Sequence, residues 1–464
     1  MAREVLTVDE AQLLRFSGAG PRYTSYPTVP EWSDDFGPEQ AHAALVKASE
    51  SADEAVCIYV HLPFCARLCL YCGCTVQITR REDLVERYLE ALDVEVARVA
   101  ELLGERRRVA QLHWGGGTPT HLTPEQIVRV HDMVARRFTF TPDAEKSIEV
   151  HPHVTTFEQV DTLASLGFDR ISMGIQDLDE HVQEVIHRFQ TTDETRALVD
   201  HCRKVGITGI NVDLMYGLPE QTVETFERTL DTIAEIRPDR LAVYGYAHVP
   251  WLKKFQESLE KYALPGPVER AHLFAVAVER LSSQGYEVIG LDHFALASDA
   301  LYKALAGGTL HRNFMGYTTH PAEDSVAFGM SAISDIGGAF YQNDHTTREY
   351  EAAVGAGLLP VMRGMNRSAE DDLRRAVIQD VMCRMVLDLD DLERRFGRTN
   401  LRAHFAQEWK DLEPLAAEGF CELGDGRLTV LPKGRIYLRH LAMVFDEYLR
   451  RKRETKGPRF SQTV

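Results

Sequence analysis

Cys65, Cys69 and Cys72 lie in the segment His-Leu-Pro-Phe-Cys-Ala-Arg-Leu-Cys-Leu-Tyr-Cys-Gly-Cys, residues 61–74. The spacing is C-x3-C-x2-C, with a further thiol at Cys74. Three thiolates can hold three irons of a [4Fe-4S] cluster and leave the fourth iron without a protein ligand. An open iron can bind a cosubstrate and pass it an electron. S-adenosylmethionine suits that place, because iron–sulfur clusters and this sulfonium together carry much enzymatic radical chemistry. The competing reading is structural zinc, which usually takes paired C-x2-C units with four closed ligands. Here one pair has the wrong spacing, and Cys57, Cys202, Cys383 and Cys421 are isolated. A disulfide framework is disfavoured by length, since a chain of 464 residues has core enough without staples.

Composition bounds the partners. The chain is 44% hydrophobic and 26% charged, as expected of a globular protein. No apolar run approaches a membrane span, and a cytoplasmic location, where thiols stay reduced, is expected. The formal net charge of −18 argues against duplex nucleic acid, which attracts basic surfaces. It also gives no long-range steering to an anionic substrate. A polycarboxylate would need a local group of arginines; Arg22, Arg188 and Arg312 are the candidates, although surface ion pairing is the usual state of an arginine.

The elements that must position these residues follow from the pattern. Residues 1–54 read as an extended amino-terminal arm, because Pro21-Arg22-Tyr23-Thr24-Ser25-Tyr26-Pro27 combines two prolines with alternating aromatics. From residue 55 short β-branched runs alternate with amphipathic segments. The expected strands are 56–62, 110–114, 147–150, 170–175, 209–215 and 240–244. Between them, Leu84, Tyr88, Leu92, Val96, Val99 and Leu103 recur at helical spacing before Gly104. Thr123-Pro124-Glu125-Gln126 reads as a capped helix start. Six strand–helix units in succession imply a parallel α/β sheet. Cys65, Gly115–Thr118, Glu149, Gln176, Asp213 and His248 each fall at or just past a strand end. That placement favours an incomplete (β/α)6 barrel with one functional face over a flat sheet with one switch point. The catalytic unit is expected to span residues 55–365. A mostly helical, winged-helix-like domain follows over 366–464, with a helix at 267–283 and a strand near 287–291 before it.

Several motifs in order resemble the oxygen-independent coproporphyrinogen III oxidases of the radical S-adenosylmethionine superfamily. They are Pro21–Pro27, Tyr59-Val60-His61-Leu62-Pro63-Phe64-Cys65 through Cys74, His113-Trp114-Gly115-Gly116-Gly117-Thr118-Pro119-Thr120, Ser172–Asp177, Asp213–Pro219 and Leu310–Phe314. The resemblance covers nearly the whole chain. It implies oxidative decarboxylation of two propionates of coproporphyrinogen III to vinyl groups, giving protoporphyrinogen IX, in haem biosynthesis. A reduced cluster would cleave S-adenosylmethionine to methionine and a 5′-deoxyadenosyl radical, which removes a β-hydrogen before carbon dioxide and an electron leave. Such a radical requires close positioning of the substrate.

The resemblance also assigns roles. Cys65, Cys69 and Cys72 ligate the cluster, and Cys74 is functional outside the ligand set, with a plain buried thiol as the alternative. Tyr59, Gly116, Gly117, Thr118, Glu149, Gln176, Arg188, Asp213, Ala247 and Ile333 match cofactor-binding positions. The glycines would let backbone approach the methionine end. Carboxylates would accept from ribose hydroxyls and arginine would pair with a carboxylate. Two S-adenosylmethionine molecules and a monomer are implied, together with an electron donor and a terminal acceptor that the sequence does not identify. Arg22 and Arg312 are assigned to the substrate's propionates. His151, where an aspartate is expected before the proline, and the stretch after Asp292-His293-Phe294-Ala295 depart from the family. Three rivals remain: a haem-binding, trafficking relative, a haem ring-opening methyltransferase relative, and a nucleic-acid regulator using the carboxy-terminal module. The trafficking branch has an aromatic residue at the position of Cys74 and lacks the full Pro21–Pro27 arm.

Overall fold

The architecture comes from a computed structural model, in which residues 6–320 and 324–452 are described. Six parallel strands form its centre: β1 (Val56–Leu62), β2 (Arg108–Gly116), β3 (Thr139–Val150), β4 (Arg170–Gln176), β5 (Gly209–Tyr216) and β6 (Arg240–Gly245). The expected strand positions hold; four run one or two residues longer at the functional end, and Thr139–Val150 starts eight residues earlier than expected. Helices such as α3 (Glu82–Leu102), α4 (Pro124–Ala135), α7 (Thr192–Lys204) and α8 (Val223–Ile236) cover the outer face. Four helix starts in this region, at Thr123, Thr156, Thr191 and Thr222, carry reciprocal capping boxes.

Alternation along the strands decides what faces the barrel interior. Ile58, Val60, Leu112, Trp114, Ile148, Ile171, Met173, Val212 and Leu214 are buried in the core under the helices. The opposite face is polar, and its side chains bond to one another across the strands. Gln111 donates to Glu145 at 2.9 Å, Arg170 to Glu145 at 3.0 Å, and Asn211 to Ser172 at 2.7 Å. Parallel strands usually bury apolar side chains on both faces; this sheet departs from that in order to build a polar interior.

The barrel stays open. β1 and β6 do not pair; each edge is instead extended by other strands, giving a twelve-stranded sheet. Beside β1 lie β9 (Ser325–Phe328), β10 (Ile333–Ile336), β11 (Ala339–Asn343) and β12 (Val361–Asn366). Beside β6 lie β8 (His293–Leu296) and β7 (Tyr286–Gly290). The helix expected at 267–283 is α9 (Pro267–Ser283). A three-stranded antiparallel sheet of Val386–Asp388, Arg427–Val430 and Cys421–Leu423, set among short helices, forms the winged-helix-like part near the carboxy terminus.

The amino-terminal stretch corrects the expectation of an extended arm over 1–54. Residues 1–5 lie outside the described residues, and the remainder contains helices α1 (Glu10–Arg15) and α2 (Pro38–Ala48). Asp9 caps α1, and Pro38 occupies the first turn of α2 after Gly37, both ordinary helix-start signals outweighed in the sequence by the Pro21–Pro27 segment. That segment itself is non-helical. Leu13, Tyr23 and Tyr26 are buried in the main core. Tyr23 donates to Asp446 at 2.8 Å, and the Glu447 backbone donates to Tyr26 at 3.2 Å. The stretch therefore joins the barrel to the carboxy-terminal part. Removing residues 1–28 is expected to expose this core, so the truncated chain should lose tens of per cent of its soluble yield and its melting temperature should fall. Unchanged melting would show that the stretch is passive packing.

Candidate active site

The cluster loop leaves β1 at Leu62 and is tied down at several points. Phe64–Cys65 pairs in parallel with Gln77–Ile78, and the Gln77 amide donates to Pro63 O at 2.8 Å. His61 Nε2 lies 3.0 Å from Thr75 O. The Leu70 amide donates to Ile186 O at 3.0 Å, Gln256 donates to Tyr71 O at 3.2 Å, and Lys253 to Cys74 O at 2.8 Å. Leu70 and Tyr71 also pack on a satellite apolar group that includes Val182, Ile186, Leu218 and Tyr246.

A cavity of about 540 Å³ opens beneath this loop. Cys65, Cys69, Cys72, Cys74, Gly116, Gly117, Thr118, Glu149, Gln176, Arg188 and Asp213 all line it, although they come from five strand ends and two loops. Tyr59 lies just below: its hydroxyl is 3.1 Å from His61 Nδ1, and its ring stacks on His113 with centroids 5.9 Å apart. Ala247 is not in this cavity but in a second one described below, and Ile333 lines neither.

All four thiols of the loop are free of disulfides. Burial pushes Cys65 up to about 11, opposed by the Thr118 hydroxyl at 3.4 Å. A hydrogen bond from Cys74 pulls Cys72 down to about 6 and raises Cys74 well above the usual thiol range. Of the two neighbouring thiols, Cys72 is the one favoured as thiolate. Arg188 adds a buried cation: Nη1 lies 3.8 Å from Cys69 Sγ and donates to Tyr71 Oη at 3.0 Å, and Nη2 donates to Gly174 O. Its Nε has no partner among the described residues. Three free thiols open to a cavity, with a guanidinium beside them, fit a cubane of iron and sulfide. Arg188, matched by resemblance to a cofactor-binding position, is thus held between Cys69 and Tyr71 on the cluster loop and Gly174 O in β4. His151, which replaces the expected aspartate, also lines the cavity, and burial together with Arg188 holds its imidazole neutral.

The glycine run serves the loop as much as the cavity. A Cβ on Gly117 would lie 2.6 Å from the Pro63 carbonyl, and one on Gly116, at φ +113°, would strike the His61 ring at 2.6 Å. The Gly117 amide donates to Leu62 O at 2.9 Å, and the Thr118 amide to Phe64 O at 2.8 Å. The glycines were expected to admit a cofactor; they also let β2 press against the backbone that carries Cys65. Gly117→Ala should displace Pro63 and Phe64 at a cost of about 1–3 kcal/mol. The reconstituted variant should hold less than half the wild-type iron, and full iron content would refute this packing role.

Glu149 and Asp213 form an unequal pair. Burial opposes ionisation of Glu149, but His113, 3.5 Å away, and the Gly116 amide at 3.2 Å hold it below the usual range. Burial and the Glu149 charge push Asp213 up to about 7, although Ser172 and Asn211 donate to it at 3.1 and 2.9 Å. One acid is ionised and the other is largely protonated near neutrality. A raised carboxyl binds a proton in the folded state that the unfolded chain has released. Stability should therefore fall as pH rises from about 4 to about 7, with the full penalty present above that. Glu95, pushed up to about 7 by burial, acts in the same window. Asp213→Asn removes only its own share: the melting-temperature advantage of the apo variant should grow across that window and stay constant above it. A pH-independent difference would contradict the raised value.

Sequence reasoning passed over His113, Ser147, Ser172, Asn211 and Tyr244. Ser147 and Asn211 lie two residues before Glu149 and Asp213 on the same strands, so strand alternation was the available signal for them. Tyr244 also lines the cavity.

A second cavity of about 540 Å³ lies beyond Tyr244, and Arg22, Tyr216, Ala247, Arg270, Asp292 and Arg439 are among its walls. The Arg22 guanidinium stands 5.1 Å from the Tyr244 ring centre and is paired with Asp292. Arg312 does not reach this cavity. It lies behind, donating to Arg22 O at 3.3 Å and covering the Tyr317 ring at 4.6 Å.

The radical SAM superfamily pattern matches residues 59–233, and the HemN C-terminal domain pattern matches 368–437. The chain is 39% identical over 464 residues, all of both chains, to the oxygen-independent coproporphyrinogen III oxidase of Escherichia coli K12. It is 39% identical to that of Synechocystis sp., covering 98% of each chain. The solved structure of coproporphyrinogen III oxidase (HemN) from Escherichia coli, described as a radical SAM enzyme, superposes with a TM-score of 0.90 at 38% identity. That match covers 96% of this chain and 100% of the other.

Proposed function

The chain belongs to the family of oxygen-independent coproporphyrinogen III oxidases, and from its geometry we propose how it carries out that reaction. It is an enzyme of porphyrin biosynthesis that decarboxylates coproporphyrinogen III oxidatively, using a [4Fe-4S] cluster and S-adenosylmethionine. The observation that carries the reading is the convergence of ten expected cluster and cofactor residues, with Cys74 beside them, on one cavity. The haem-trafficking alternative gains no support from the relatives, which are oxidases.

When bound, the reduced cluster and S-adenosylmethionine supply a radical that takes a hydrogen atom from the propionate β-carbon. The protein's part is to hold and shield. Cys65, Cys69 and Cys72 would ligate the cluster, while Cys74 stays outside the ligand set. Arg188 offsets the negative charge of the thiolates. Glu149, ionised, is suited to a cationic or hydroxyl-bearing group. Asp213, protonated near neutrality, can donate to one. Gln176, held at φ 70° at the end of β4, presents its amide to the same space. Tyr59 and His113 keep Glu149 in place from below. We assign Arg22 to a propionate carboxylate and Arg312 to the support of Arg22.

For each propionate, one hydrogen atom leaves to the radical, carbon dioxide departs, and one electron passes to an acceptor, leaving the vinyl group. A one-electron donor for the cluster and an acceptor are therefore required. The reading of two S-adenosylmethionine molecules asks the polar edges Gly117–Glu149 and Gln176–Asp213 to take one molecule each. Ala247 and Ile333 belong to neither edge. Equilibrium dialysis against the reconstituted protein should then give two equivalents per cluster, and one would restrict the site to a single cofactor. The resemblance implies a monomer. No helix among the described residues is long and apolar enough to cross a membrane, and we place the reaction in the cytoplasm, where thiols stay reduced. Turnover of coproporphyrinogen III by the reconstituted enzyme tests the reading.

A further inference from the structure

The second cavity has an unusual charge balance. Arg22, Arg270 and Arg439 line it, and Asp292 is the single carboxylate on its wall among the described residues. Asp292 is already paired with Arg22. Arg270 has no carboxylate partner among the described residues; it rests 5.6 Å from the Tyr216 ring centre, and its Nε has no hydrogen-bond partner. The backbone makes room for this guanidinium. A Cβ on Gly217 or Gly245 would lie 2.5 and 3.1 Å from its terminal nitrogens. Arg439, 3% exposed, stands on the same wall as Arg22 and Arg270. The mouth carries the exposed apolar side chains of Trp251 and Leu252, 57% and 73% accessible. Guanidiniums inside and apolar side chains at the rim match an amphiphile that bears carboxylates on a flat hydrocarbon frame.

We propose that Arg270 and Arg439, together with Arg22, form the subsite for the carboxylates of the two propionates that the reaction leaves intact. This rests on the reading of the chain as a coproporphyrinogen III oxidase. A propionate that reacts must enter the first cavity, on the far side of Tyr244. A carboxylate that persists in the product needs a place through both turnovers, and the second cavity provides it. The reacting propionates sit on neighbouring rings, as do the persisting ones. A half-turn of the macrocycle about the axis between these pairs exchanges the two rings that carry the reacting groups and returns the other two propionates to the same arginines. The sequence gives Arg270 and Arg439 no such role, because neither lies in a family motif.

Binding of coproporphyrin III, the stable conjugated analogue, and of its tetramethyl ester to anaerobically reconstituted holoenzyme tests the assignment by fluorescence. Arg270→Gln should weaken the tetra-acid about tenfold or more. Arg270→Lys should recover part of that loss. Both variants should bind the ester and S-adenosylmethionine as the wild type does. During turnover, Arg439→Gln should release the tricarboxylate formed after the first decarboxylation. Wild-type affinity for the tetra-acid in Arg270→Gln would overturn the proposal. So would equal loss for acid and ester, or a loss directed at S-adenosylmethionine. A failure of the oxidase reading itself would look different: the wild-type holoenzyme would not decarboxylate coproporphyrinogen III at all.

Discussion

Cys65→Ser, Cys69→Ser and Cys72→Ser are each expected to lose the cluster and, with it, cleavage of S-adenosylmethionine. Serine is a poor ligand for a site built from thiolates, and each cysteine serves one iron. Iron content should drop to background, and cleavage should fall by at least two orders of magnitude, about 3 kcal/mol or more in barrier terms. Cys74→Ser is the control. Cys74 is a fourth thiol in a loop where three ligands suffice when one iron stays open, so its replacement should keep about four irons per chain while turnover of the porphyrinogen declines. Absorbance of the anaerobically reconstituted proteins and an iron assay read the result. Loss of the cluster in Cys74→Ser would defeat the division of roles among the four cysteines.

Arg22→Gln is expected to do two things that a second variant can separate. Despite burial, the Arg22 guanidinium holds Asp292 well below the usual carboxylate range. Removing it leaves a buried carboxylate with only His293, 2.9 Å away, and the nearby Arg439 for support. Breaking one side of a buried pair costs about 3–5 kcal/mol, and these neighbours place this case at the lower end. Melting temperature should fall accordingly. The second effect is on substrate: a lost charged contact costs about 1.5–3 kcal/mol, or roughly one to two decades in affinity. In Arg22→Gln/Asp292→Asn the stranded charge is gone, so most of the melting temperature should return while porphyrinogen affinity stays low. Recovery of both together would show that Arg22 is a strut between the amino-terminal stretch and the barrel.

The sequence makes the cluster loop and the six parallel strands visible for different physical reasons. The loop stands out because cysteine spacing reflects ligand geometry, which no other pressure on a chain imitates closely. The strands stand out because β-branched runs alternate with amphipathic helices. Their inner face was harder to see. His113, Ser147, Ser172 and Asn211 alternate with Trp114, Ile148, Ile171 and Val212, yet each strand reads as an apolar run when averaged. The helices α1 and α2 were hidden by the prolines and aromatics of residues 21–27, which dominate the composition of that region. Arg270 and Arg439 were illegible for another reason. Arg270 sits in α9 and Arg439 near the end of the chain, with no local pattern to mark either. Only the fold brings them to Arg22, across sequence separations that no local signal spans. Ala247 matches a cofactor-binding position by resemblance, and the chain after β6 places it on the wall of the second cavity.

One measurement tests the central claim most directly. Reconstituted wild-type protein is incubated anaerobically with coproporphyrinogen III, S-adenosylmethionine and a reductant, together with a one-electron acceptor, and the tetrapyrrole is read by mass. The account predicts successive loss of carbon dioxide and two hydrogens from each of two propionates, with the dicarboxylate as end product and methionine formed alongside. Recovery of unaltered coproporphyrinogen III from protein that carries its cluster and cleaves S-adenosylmethionine would contradict it.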